Sequence, residues 1–132
     1  MKTLDYLHLD EQKVQGVVSA LHSLLAEVNH PDTKIWTAED PIEITHHGLR
    51  QIQMHPRIGL PFAAAMRAFL RADPDALMVG EMRASETAHI SIEASLTGHM
   101  VMSTLHTHSA PESVIHLLDM GLDQRSVRGA CS

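Results

Sequence analysis

The sequence predicts an α/β fold, a mostly parallel sheet with helices on both faces. Three observations carry that expectation. Apolar residues recur at helical spacing over residues 11–28. Two short runs, Ala76-Leu77-Met78-Val79 and Met100-Val101-Met102, are apolar without alternation, as in strands buried on both faces of a sheet. Helical and strand-like segments alternate along the chain, the order that builds parallel sheets through crossover helices.

The first helix is marked by Val14, Val17, Val18, Leu21, Leu24, Leu25 and Val28 on one face, and Asn29-His30-Pro31 ends it. Lys34 to Ala38 is a β-prone run closed by the acidic turn Glu39-Asp40-Pro41. Ile42 to Thr45 alternates and is read as a short strand, and Arg50 to Met54 as a second, with Gly48 in the loop between them. Leu60-Pro61-Phe62 opens a helix over Ala63 to Ala72, which Asp73-Pro74 stops. After the strand at Ala76–Val79, Ser85 is placed to cap a helix to Thr97, with Gly98 at its C′ position. The strand at Met100–Thr104 follows. Ser109-Ala110-Pro111-Glu112 is a capping box opening a helix to Met120, and Gly121 closes it.

Length and composition bound the rest. The chain has 132 residues, 44% of them hydrophobic, which suits one domain with a real core. Residues 11–121 are expected to form that domain, after a leader at 1–10 and before an unpatterned tail at 122–132. No apolar run approaches the ~20 residues of a membrane span. Met1 to Tyr6 lacks the apolar segment of a secretory signal, and the single cysteine, Cys131, excludes an internal disulfide framework. A cytoplasmic location is therefore expected. A net charge of −6 and four aromatic residues (one Trp, one Tyr, two Phe) argue against nucleic acid as partner.

Parallel strands present their C-termini at one sheet edge, where ligands bind. The residues expected there are Glu39 and Asp40, then Glu81, then Thr104 and His106. An apolar strand delivering Glu81 has the form of a Walker B element, in which a carboxylate orients water or helps bind Mg²⁺ beside a phosphate. Glu39, Asp40 and Glu43 form a second acidic cluster that can hold water around a metal or polarise an attacking water. The bland alternatives are an exposed glutamate after Gly80 and a solvated Asp-Pro turn. His99 and His106 bracket the last strand and can sense a phosphate or relay a proton. Arg67, Arg71 and Arg83 suit phosphate clamping, or else are helix-surface charges paired with Asp73 or Glu86. Histidine is abundant, 11 residues. A His106/His108 metal site stays open as an alternative, although no third ligand has a recognisable spacing.

The residues also resemble a known family. Ile35-Trp36-Thr37-Ala38-Glu39-Asp40-Pro41-Ile42-Glu43 is similar to the aspartate box of the ATPases that drive type II secretion and assemble type IV pili. Leu70 to Arg83 resembles their Walker B signature, and Thr97 to Thr107 their histidine box. The likeness spans roughly residues 20 to 121 and is strongest with the pilus-assembly branch. It implies an incomplete RecA-like P-loop NTPase core, Mg²⁺ and ATP as cofactors, and a hexamer of this chain or with an intact paralogous ATPase, working on inner-membrane platform proteins. By that resemblance Glu81, Glu39, Glu43, His106 and His99 are the catalytic candidates. Gly16, Ser19, Thr104, Arg71 and Arg83 are the nucleotide-binding ones, and Asp40 with Glu81 the Mg²⁺ ligands.

The sequence departs from the family in three respects. Where the family has a glycine-rich phosphate loop this chain reads Glu11-Gln12-Lys13-Val14-Gln15-Gly16-Val17-Val18-Ser19. Gly16 remains, Val17 replaces the lysine and Val18 the first threonine, with Ser19 one step on and Lys13 a helical turn away. Ala84 stands where aspartate is usual, and His55 and His108 where asparagine is. The arm after Gly121 and the preceding domain are not matched. The expected function is thus a fragment of a secretion or pilus-assembly ATPase with weak or no activity alone. The alternatives are a non-catalytic subunit joining an intact paralogue, and a histidine-based metal-binding protein.

Overall fold

The computed structural model describes residues 14–55 and 61–130, with side chains from residue 19 onward. The leader at 1–10, Lys13, Leu60 and Cys131 lie outside the described residues. The element order is α1 (Val14–Val28), β1 (Ile35–Glu39), β2 (Arg50–Gln53), α2 (Phe62–Arg71), β3 (Ala76–Val79), α3 (Ser85–Leu96), β4 (Met100–Ser103), α4 (Ala110–Asp119) and α5 (Gln124–Ala130). The four strands form one parallel sheet in the order β2-β1-β3-β4. This is the predicted architecture.

Side-chain alternation explains how both faces are covered. Ala76 and Met78 of β3, Ile35 of β1 and Met102 of β4 pack with Leu21 and Leu25 of α1. Leu77 and Val79 point the other way, with Ala38 and Val101, into a cluster built by Ala63, Met66 and Phe69 of α2 and by Ile90 and Ala94 of α3. All four β3 residues are buried, which is why that strand reads as an unbroken apolar run. A third cluster joins Ala88 and Ile92 of α3 to Leu117 of α4 and to Leu122, Val127 and Ala130 around α5.

Three sequence expectations need correction. Ile42–Thr45 is irregular loop rather than strand. Ile44 gives its carbonyl to the Gln51 side chain and His46 gives its amide to the same side chain, so these backbone groups are satisfied without a ladder. Ser85 is the first residue of α3 and not its cap; its hydroxyl donates instead to the Met120 carbonyl. Residues 124–130, without a readable pattern, form α5. Its start is fastened by Asp123, whose carboxylate accepts from the Arg125 and Ser126 amides and from the Ser126 hydroxyl. The Ser126 hydroxyl above all, then the Ser126 amide, holds that carboxyl below its ordinary range.

Other signals hold. Ser109 caps α4, accepting from the Glu112 amide, while Glu112 reaches back to the His108 amide. Gly98 and Gly121 adopt φ of 98° and 89° past the ends of α3 and α4, conformations that favour glycine. The cap of α3 is Ala84, in extended conformation and without a side-chain bond. An aspartate there would accept from the first-turn amides. Ala84→Asp is therefore expected to raise stability by ~1 kcal/mol, read as a higher urea midpoint at unchanged slope.

Candidate functional site

In a parallel sheet all strands end at the same edge. The ends of β1, β3 and β4 are further stitched together by backbone bonds. The Gly80 amide donates to Ala38 at 2.8 Å and the Met82 amide to Thr104 at 3.1 Å. Gly80 sits where a Cβ would meet the Ala38 carbonyl oxygen at 3.4 Å and Glu39 Cα at 3.6 Å. The residue before Glu81 thus lies directly against the end of the aspartate-box strand.

Glu81 leaves this edge with its side chain 20% exposed. Its Oε1 lies 2.9 Å from His106 Nε2 and its Oε2 accepts from Arg83 Nε at 2.6 Å. Both oxygens are therefore engaged, by groups that are themselves open to water, with Arg83 and His106 side chains 80% and 64% exposed. The ion pair with Arg83 adds little stability at such exposure. Its consequence is orientation: a carboxylate aimed by an imidazole can hold a proton on Oε1 or pass one through His106 Nε2. Thr104 is beside it, but its hydroxyl donates to the Gly80 carbonyl and serves the sheet edge itself.

Glu39 is a different carboxylate. It is 3% exposed. Its parity along β1 is that of Ile35 and Thr37, so it faces α1. Oε1 accepts from Thr37 Oγ1 at 2.6 Å and from Gln51 Nε2 at 3.1 Å. Oε2 lies 3.5 Å from Nε2 of His22, an α1 residue that is 2% exposed. That approach is an ion-pair distance without hydrogen-bond geometry: both ring nitrogens of His22 lack hydrogen-bond partners among the described residues. His22 in turn stacks on His46 at 4.8 Å between centroids. Glu39, expected near metal and water, is thus buried in this chain. The exposed acids of the cluster are Asp40 and Glu43 on the loop that follows.

Two other candidates lie elsewhere. His99 precedes β4, so it stands at the entrance edge, about 13 Å of strand from the carboxylates. There its Nδ1 contacts the Ala94 carbonyl and the Thr97 hydroxyl. Arg71 ends α2 and is exposed, ahead of β3 and so at that same entrance. Within one chain neither joins Glu81. Arg67 is paired with Glu86, the structural alternative weighed from sequence. Gly16 lies inside α1, and Ser19 is an exposed residue of the same helix whose carbonyl accepts from Ser23.

Sequence reasoning missed Thr37, Gln51, His22 and His46 as partners of the acidic strand. For Thr37 the available signal was strand alternation, which sets it on the face of Glu39; that Gln51 shares this face follows from a register seen only in the structure.

The carboxylates present suit a hard cation that keeps water and takes its other ligands from phosphate. Among the described residues no group of three or more His, Cys, Asp or Glu side chains could hold a metal unaided. The phosphate side is where the fit fails. Val17 and Val18 carry neither charge nor hydroxyl, and Gly16 is drawn into a helix. The described residues accordingly do not fit Mg-ATP as a whole.

Comparison with known proteins agrees with this architecture. A family model described as "Type II/IV secretion system protein" matches residues 15–131. The type IV pilus assembly ATPase PilB of Myxococcus xanthus is 55% identical over 108 residues, covering 82% of this chain and 19% of that protein. The type II secretion system protein E of Xanthomonas campestris is 50% identical with the same coverage. The chain thus spans about a fifth of the length of these curated relatives. Among solved structures, the pilus retraction motor PilT with bound ADP superposes with a TM-score of 0.73 at 27% identity, over 98% of this chain and 44% of that one. The Legionella pneumophila ATPase DotB gives 0.68 at 34% identity, over 86% and 33%.

Proposed function

The chain belongs to the type II/IV secretion system protein family, and on that premise we propose that it is the carboxylate-edge portion of an ATPase that powers type II secretion or type IV pilus assembly. The observation that carries this reading is the Glu81–His106–Arg83 constellation at the C-terminal edge of an all-parallel sheet. In this reading Glu81 holds and orients, His106 exchanges the proton, and Arg83 fixes the second carboxylate oxygen or faces a neighbouring subunit. Asp40 and Glu43 supply the outer acidic rim, and Glu39 anchors them from below. Substrate nucleotide would be Mg-ATP, gripped poorly by this chain because Val17 and Val18 offer neither charge nor hydroxyl.

His99 and Arg71 sit at the entrance edge, where a site shared between subunits could use them. A hexamer, made of copies or with an intact paralogue, is the assembly in which they have a role. Such an assembly works in the cytoplasm against inner-membrane platform proteins. None of the described helices is long and apolar enough to cross a membrane.

The test is steady-state phosphate release from Mg-ATP by the purified chain. No release above the blank is expected at any chain concentration. Mg-dependent release that disappears in Glu81→Gln would contradict the impaired cradle while supporting the assignment of Glu81. Release unaffected by that substitution would contradict the site.

A further inference from the structure

The loop joining β1 and β2 has no secondary structure to hold it, yet it carries Asp40 and Glu43. The Gln51 side chain holds it at two backbone groups. Gln51 Oε1 accepts from the His46 amide at 2.8 Å. Gln51 Nε2 donates to the Ile44 carbonyl at 2.7 Å and to Glu39 Oε1 at 3.1 Å. These partners fix the orientation of the carboxamide, because the flipped form would set its N–H groups against an amide and its oxygen against two acceptors. Both of its N–H groups and its oxygen are used.

The placement follows from register. Gln51 pairs with Thr37, so its side chain leaves the sheet on the face that Thr37 and Glu39 share. Glu39 is buried and held by Thr37. It is a fixed post, and Gln51 ties the loop to it. The Asn29 side chain, just past the end of α1, donates to the His47 carbonyl and supports the loop from that side; among the described residues it is the Gln51 side chain whose bonds join the loop backbone to Glu39.

We propose that Gln51 is the positioning residue of this site: its carboxamide fastens the acidic loop to Glu39 and so holds Asp40 and Glu43 at the edge where Glu81 emerges. What the loop serves rests on the function proposed above; the fastening itself does not, and its test contains no nucleotide. Failure of ATP binding and failure of the clasp are therefore separate results.

The test is backbone amide exchange of the full chain, wild type and two variants, each compared with wild type at the same pH. In wild type the His46 amide is expected to exchange at least about tenfold more slowly than an unbonded loop amide. Gln51→Leu fills the volume but makes no bond. It should release His46 and its neighbours by about tenfold, while β3 amides stay protected. Gln51→Glu is the discriminating variant. Ionised, the new carboxyl can still accept from the His46 amide but repels Glu39 and donates to neither Glu39 nor the Ile44 carbonyl; protonated in acid, it loses that repulsion and regains one donor. Loop exchange should be fast at neutral pH and return toward wild type in acid, a rescue that space-filling alone would not give. A His46 amide unprotected in wild type overturns the proposal whatever the variants do. So does an unchanged loop in Gln51→Leu, or a Gln51→Glu loop indifferent to pH.

Discussion

Glu11→Gly, Val17→Lys and Val18→Thr together are expected to raise Mg-ATP affinity by about two to four orders of magnitude. The three changes complete the pattern G-x-x-x-x-G-K-T around the existing Gly16. The lysine adds a charge-assisted contact to phosphate, and the threonine a hydroxyl for the cation. Contacts of that kind contribute about 1.5–3 kcal/mol each, and every ~1.4 kcal/mol is tenfold in affinity. On the proposed function, Glu81, Asp40 and Glu43 supply the carboxylate side of the site. Equilibrium titration with a fluorescent ATP analogue measures the gain. A triple variant that keeps its far-ultraviolet circular dichroism and binds no better than the parent would show that the cradle is not what limits binding.

Leu77→Ala is expected to cost about 2–5 kcal/mol of stability. Leu77 is wholly buried at the centre of β3, in register with Trp36 on one side and Val101 on the other. Met66 and Phe69 of α2 and Ile90 of α3 close over the same cluster, so the site has little freedom to collapse into the cavity. A domain of this size holds about 5–15 kcal/mol in all, so the loss is a large share of it. With a urea slope of about 1–3 kcal/mol per molar, the midpoint should fall by about 0.7 M or more. Ile115→Ala is the control: that side chain is 57% exposed, and its removal should move stability by less than about 0.5 kcal/mol. Equal shifts for the two would contradict the assignment of the core.

Much of the fold is legible because burial leaves a direct trace in residue type. β3 is apolar at every position since helices cover both sides of it, and α4 announces itself through Ser109 and Glu112. The positions of Gly98 and Gly121 mark helix ends because left-handed backbone favours glycine. α5 is not legible: seven residues with Val127 and Ala130 as its buried contacts span too few turns to show a period. Ile42–Thr45 alternates but is loop, and the Ile44 carbonyl and the neighbouring His46 amide bond to the Gln51 side chain of β2 instead of to a ladder.

For the site, the residues that end strands were readable and the residues that enter them misled. Glu81 and His106 are gathered because each follows a parallel strand. His99 is nearer to β4 in sequence than His106 is, but lies at the other edge because strand direction separates them. Glu39 illustrates a second limit. A carboxylate beside Asp-Pro reads as solvated, and its burial under His22 depends on which sheet face α1 covers, a tertiary fact with no local sequence signature.

The most direct test of the central idea, that an ordered carboxylate edge survives here without a phosphate grip, is the affinity of the unaltered chain for Mg-ATP by isothermal titration. The account predicts a dissociation constant no tighter than about 1 mM, with Glu81→Gln making no measurable difference. Micromolar, Mg-dependent binding by the unaltered chain would contradict it.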